Sequence, residues 1–190
     1  MMEDADYWDA MYQYFMKEHQ YRYVCITCPS FEPESCLVIG ADSTLTLITL
    51  DKQVYSYLRS GKKDEKRPTA SRKSLTVSAN FVKDLQNLID LGSLTSNAYT
   101  SSRTLDGTTN YFLSYRRGYH SSKTHADGKS ANGGNEACQL MAMINEIRDA
   151  VAGNKAFDEA DLTTRVRKLY KHIYTLLPAD YDDRVLYDMY

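Results

Sequence analysis

The residues most able to do chemistry lie in a basic segment at 116–135, RRGYHSSKTHADGKSANGGN. Its glycines let backbone N–H groups approach a ligand closely, and its arginines and lysines supply positive charge. Guanidinium groups suit bidentate binding of phosphate or carboxylate, and histidines would strengthen that binding at lower pH. We therefore predict an anion site here, with these candidate residues: Arg116, Arg117, His120, Lys123, His125, Lys129, Asn132, Gly133, Gly134 and Asn135.

The same segment admits other roles. Loops of this length without structure of their own are usually functional or disordered, so the charges could face solvent alone or contact a partner protein. His120 or His125 would act as a general base only if it were buried in a cleft beside a carboxylate or a nucleophile. The GKS fragment at 128–130 is not a P-loop, because Lys123 stands where that motif needs its first glycine.

The four cysteines do not form a recognisable redox or metal motif. Cys25 and Cys28 have C-x-x-C spacing, but they lie in a β-branched, apolar run that ends at Pro29. A redox pair needs a helix N-terminus, and residues three apart on a strand point to opposite faces. A tetrahedral zinc site would need a second pair of ligands, for which the sequence shows no paired spacing. We interpret the thiols as buried, and we expect no metal and no cofactor; the cysteines are Cys25, Cys28, Cys36 and Cys138.

Composition and charge exclude several classes of function. The net charge of −2 gives no support for nucleic-acid binding by the whole chain. The first residues lack the basic and apolar regions of a signal peptide, and no apolar run reaches the roughly 18 residues of a membrane span. We therefore expect a cytoplasmic protein with no membrane partner. The 16 tyrosines suit either half-buried sheet faces or an aromatic binding surface.

Apolar stripes predict four amphipathic helices, at 6–19, from Ser78 to Gly92, at 136–151 and at 158–177. Ser78 is a favourable N-cap residue, whereas Gly92 and Gly153 are expected to end their helices. The link between the last two helices is short, so we expect them to pack as an antiparallel pair.

Alternating and β-branched runs predict strands at 21–27, 36–39, 44–50, 54–58, 98–105 and 108–115, with a short one at 75–77. The first four would form an antiparallel meander, with a hairpin turn at 40–43. Asp106-Gly107 favours a two-residue type I′ turn, which makes 98–115 a second hairpin. The charged stretch at 60–74 has no apolar periodicity, so we expect a solvated loop there.

Together these elements predict an α+β fold. Its antiparallel sheet would have roughly five to seven strands, the meander plus the 98–115 hairpin. The N-terminal helix and the C-terminal antiparallel helix pair would cover one face of that sheet. We expect one domain at 1–178, followed by an acidic, tyrosine-containing tail at 179–190 that either meets a basic surface or stays loose.

The absence of a catalytic motif favours a non-enzymatic binding protein. The sequence has no nucleophile elbow, no H-E-x-x-H and no dinucleotide fingerprint. The expected partner is a macromolecule that this chain binds or inhibits. One alternative is a small phosphorylated or nucleotide-like anion held at 116–135. A second alternative is a hydrolase or transferase that uses a histidine of that segment.

Overall fold

The computed structural model describes residues 5–17, 23–60, 66–95, 108–114, 120–125 and 136–177. The helices are α1 (Ala5–Phe15), α2 (Val54–Ser60), α3 (Ala79–Thr95), α4 (Glu136–Ala152) and α5 (Glu159–Thr175). The strands are β1 (Tyr23–Pro29), β2 (Ser35–Ile39), β3 (Thr44–Leu50), β4 (Ala70–Thr76), β5 (Thr108–Ser114) and β6 (His120–His125).

The six strands form one antiparallel sheet in the order β4-β3-β2-β1-β5-β6. The predicted α+β class is thus confirmed. The predicted hairpin turn between β2 and β3 is also present: the Gly40 N–H donates to the Thr44 carbonyl oxygen at 2.8 Å. Ser43 adopts a φ of 64° in this turn, a conformation that a short polar side chain tolerates better than a branched one.

Helices cover both faces of the sheet. Val24 and Ile26 pack with Met11 and Phe15 of α1, whereas Cys25 belongs to the larger core formed by α3, α4 and α5. The prediction that the N-terminal helix and the C-terminal pair share one face is therefore wrong. The physical reason lies in the central strands, which are apolar at consecutive positions and so need cover on both sides.

The C-terminal helices form the predicted antiparallel pair. Arg165 of α5 bonds to Glu146 near the end of α4, and His172 bonds to Glu136 at its start. Asp158 caps α5 by accepting from the Asp161 N–H at 3.0 Å. Gly153, with a φ of 82°, ends α4 as predicted.

Three other predicted boundaries are wrong. Residues 54–58 lie in helix α2 and not in a strand, and residues 70–74 of the expected loop belong to edge strand β4. Helix α3 continues through Gly92 to Thr95. Glycine suits that position because a Cβ atom there would stand 3.1 Å from Cδ2 of Leu140 on α4.

Strand β5 is hydrogen-bonded along both edges, to β1 on one side and to β6 on the other. The first strand and the turn of the predicted 98–115 hairpin lie outside the described residues. The C-terminal tail at 179–190 lies outside them as well.

Candidate functional site

Part of the predicted anion segment is a strand. His120, Lys123 and His125 lie in β6, so the prediction of a loop throughout 116–135 is wrong. Local pattern could not reveal this strand, because HSSKTH is polar and forms it by pairing with the open edge of β5. The remaining candidates lie outside the described residues: Arg116, Arg117, Lys129, Asn132, Gly133, Gly134 and Asn135.

An aromatic surface covers the α1 and α2 side of the sheet. We define it by Trp8 and Tyr12 of α1, Tyr55 of α2, and Phe31 in the β1–β2 connection. All four side chains are exposed: Trp8 by 37%, Tyr12 by 50%, Phe31 by 80% and Tyr55 by 38%. One further tyrosine links two of them, since the Tyr7 ring stands 5.9 Å from Trp8 and 6.3 Å from Tyr55. Trp8 of α1 and Tyr55 of α2 are therefore joined through the Tyr7 ring and are not isolated residues.

A buried carboxylate holds the aromatic surface in place. Glu34, only 1% exposed, accepts hydrogen bonds from the Tyr7 hydroxyl at 3.0 Å and from the Val54 N–H at 2.8 Å. It thereby joins α1 to the first turn of α2, where backbone N–H groups lack helical partners. At the other end of the surface, Arg59 lies 5.4 Å from the centre of the Tyr55 ring and donates to its hydroxyl.

A polar pocket lies on the opposite face, beneath α4. Arg148 reaches from α4 to the sheet and donates to Oγ1 of Thr27 on β1 and to Oγ of Ser35 on β2. The Thr27 hydroxyl in turn donates to Oδ1 of Asn110 on β5 at 2.7 Å. Beside these groups is a cavity of about 290 Å³. We call it the Arg148 pocket.

The charge of the Arg148 pocket is unusual for a protein interior. Thr27, Ser35 and Asn110 are all buried, and burial lowers the pKa of the Arg148 guanidinium below its ordinary value. An arginine nevertheless stays protonated near neutral pH. Within the part of the chain that the structure describes, no carboxylate forms a salt bridge with Arg148. Neutral hydroxyl groups accept its hydrogen bonds instead.

Sequence reasoning missed Arg148, although a signal was present. The residue stands four positions after Ile144 and three before Val151, which are both buried in the apolar stripe of α4. A charge bordering an apolar stripe at helical spacing is expected to be drawn toward the core. Its partners could not be foreseen, because Thr27 and Ser35 lie more than a hundred residues before Arg148 in the sequence.

The interpretation of buried thiols is confirmed for two of the four cysteines. Cys25 and Cys36 are buried, and Cys28 and Cys138 are half-buried. Cys25 lies in the core under α4, whereas Cys28 packs on the α1 side, so the C-x-x-C pair is divided between two faces. Burial raises the pKa of the Cys25 thiol to about 12 and that of Cys28 to about 11. Such thiols are poor nucleophiles near neutral pH.

Within the described ranges, no cluster of three or more metal-ligating side chains occurs, and no helix is long and apolar enough to cross a membrane. No family model, no curated protein and no solved structure matches this chain.

Proposed function

We propose that this chain is a non-enzymatic binding protein that docks a partner protein on the aromatic surface. The observation that carries the proposal is the exposure of Trp8 and Tyr55, whose rings are joined through that of Tyr7, together with the exposure of Tyr12 and Phe31. Large apolar side chains exposed as a group, and not singly, are typical of interaction sites.

The composition of the aromatic surface resembles that of binding hot spots. Tryptophan, tyrosine and arginine are the residues that most often dominate the energy of protein interfaces, and here Arg59 lies against Tyr55. Aromatic rings also lose little conformational entropy on binding. Because Glu34 fixes the two helices to the sheet, the surface is preorganised, which lowers the cost of association.

The charges around the aromatic surface suggest the chemistry of the partner. Asp6 and Asp9 on α1 and Glu32 beside Phe31 are exposed, whereas Arg59 lies against Tyr55. An acidic rim around an apolar centre is complementary to a partner with an apolar pocket and a basic rim. We therefore assign the partner to that class of protein surface.

Site-specific photo-crosslinking in producing cells tests this function. A photoreactive phenylalanine analogue at Tyr12 is expected to capture one discrete partner. The matched control carries the same analogue at Tyr174 of α5, which is 40% exposed and lies on the other side of the sheet. Adding Tyr55→Ala to the Tyr12 probe should abolish the capture. Equal capture from both positions, or none from Tyr12, would refute the proposal.

A second candidate function, binding of a small anion at 116–135, has one observation in its favour. Thr124 and His125 of β6 pair with Asn110 and Thr109 of β5, so this end of the basic segment lies next to the strand that lines the Arg148 pocket. Native mass spectrometry of the purified protein, compared with the Lys129→Ala variant, tests it. A bound mass that is lost in the variant supports this candidate, and an unliganded mass for the wild type contradicts it.

A further inference from the structure

Arg148 presents a positive charge to a cavity and forms no salt bridge among the described residues, although the charge of the neighbouring Asp149 acts on it. Buried charges in proteins are ordinarily paired, because leaving water costs far more than neutral hydrogen bonds return. Thr27 and Ser35 accept from the guanidinium, but each hydroxyl is neutral. An anion in the cavity would supply the missing charge.

The donors that face the cavity match the oxygens of such an anion. A guanidinium carries five N–H groups, and the two bonds to Thr27 and Ser35 leave others to donate. The Ser35 hydroxyl accepts from Arg148, and its own proton finds no acceptor in the described part of the chain. A planar anion placed here would receive hydrogen bonds from both side chains.

The surrounding charges set a limit on the ligand. Asp149 also lines the cavity, where its Oδ2 pairs with Nζ of Lys155 at 3.1 Å. Glu32 stands at the rim and is exposed. One cation facing an acidic rim favours a singly charged anion over a dianion such as a phosphate monoester.

The cavity size gives a second limit. Pockets for drug-sized ligands run from roughly 300 to 1,000 Å³. This cavity, at about 290 Å³, lies just below that range, which favours a ligand smaller than a drug-sized molecule. Pro29 and Pro33 add apolar walls on one side, which suits a short carbon skeleton attached to the anionic group.

From these observations we infer that the Arg148 pocket binds the carboxylate of a small monoanionic molecule, with Arg148 and Ser35 as its donors. The pocket lies on the α4 side of the sheet and shares Glu32 at its rim, but neither of its proposed donors, with the surroundings of the aromatic surface. The inference is therefore independent of partner docking, and it needs no residue of the 116–135 segment.

Titration of the isotope-labelled protein with sodium acetate at constant ionic strength tests the inference by NMR. The backbone amide resonances of Thr27 and Ser35 are expected to shift saturably with acetate, and less with inorganic phosphate. In Ser35→Ala, which keeps the guanidinium, acetate binding should weaken several-fold. In Arg148→Gln it should weaken by about tenfold or more, as expected for a lost charge-assisted hydrogen bond.

Arg167→Gln is the matched control, because Arg167 bonds to Asp84 outside the pocket and is not expected to change acetate binding. Arg148→Lys keeps the charge without the planar fork and should bind with intermediate affinity. The inference is overturned if the wild-type resonances show no saturable shift, if Arg167→Gln weakens binding as much as Arg148→Gln, or if phosphate binds more tightly than acetate. If Arg148→Gln fails to fold, the titration of Ser35→Ala tests the inference by itself. Several-fold weaker acetate binding supports the inference, and unchanged binding overturns it.

Discussion

Removing the Glu34 carboxylate is expected to destabilise this protein severely, because one buried group serves two helices. Its side chain accepts from the Tyr7 hydroxyl at 3.0 Å, from the Val54 N–H at 2.8 Å and from the Tyr55 N–H at 3.4 Å. The first two are full hydrogen bonds, and the third is marginal by its length. Glu34→Ala would leave α2 without a cap and the Tyr7 hydroxyl without its acceptor.

The magnitude follows from these contacts. Hydrogen bonds to a charged group contribute about 1.5–3 kcal/mol each, so the two full bonds account for about 3–6 kcal/mol. Releasing the carboxylate from its buried position offsets part of that loss. We expect a net loss of about 3 kcal/mol in the free energy of unfolding for Glu34→Ala. Glu34→Gln keeps one acceptor oxygen and should cost about half as much.

Denaturant unfolding followed by fluorescence and by circular dichroism measures this loss. Trp8, the single tryptophan of the chain, stands 5.9 Å from the Tyr7 ring and 4.7 Å from the Tyr111 ring, so its emission reports on the docking of α1. In Glu34→Ala the fluorescence should change at a lower denaturant concentration than the helical circular-dichroism signal, because α1 and α2 are released from the sheet before the rest unfolds.

A double-mutant cycle with Tyr7→Phe isolates the hydroxyl–carboxylate bond. Tyr7→Phe alone should cost about 1.5–3 kcal/mol, and it should cost almost nothing in the Glu34→Ala background. The reasoning is refuted if Glu34→Ala costs less than about 1 kcal/mol, or if the two substitutions are additive.

Three further predictions concern stability, reactivity and pH. Gly153→Ala should lower the free energy of unfolding by about 1 kcal/mol, since a φ of 82° strains any side chain. Gly153→Asn should lower it by less, and denaturant unfolding measures both variants. Burial raises the pKa of Cys25 and Cys36. An aromatic disulfide reagent that releases a coloured thiolate should therefore react with these two thiols at about pH 8 only after the protein unfolds, which absorbance measures. Both bonds from Thr69 lower the pKa of the Asp51 carboxyl. The stability they add is therefore present above about pH 4 and lost as pH falls further, so wild type and Asp51→Asn should converge in acid denaturation profiles.

Local sequence signals predicted those elements whose cause is local. Helices α4 and α5 were predicted to within two residues, because apolar stripes and capping residues lie within the segments themselves. Gly153 ends α4 through a positive φ that glycine adopts without strain. The hairpin joining β2 to β3 was predictable for the same reason, since its turn residues are contiguous.

Elements with a distant cause could not be predicted in this way. Residues 54–58 are rich in β-formers, yet they form α2 because Glu34, twenty positions earlier, caps the first turn. Strand β6 has no apolar alternation and exists through its pairing with β5. The assignment of α1 to one face and the C-terminal pair to the other depended on how the central strands, apolar on both sides, are covered.

The sequence by itself thus determined the α+β class, the helix pair and the burial of two of the four thiols, because periodicity and capping act over a few residues. Only the tertiary structure placed Arg148 beside Thr27 and Ser35, and only it gathered Trp8 and Tyr55 into one aromatic surface. These groups meet through sheet register and helix docking, which are long-range interactions. A linear pattern of residue types does not encode them in any single segment.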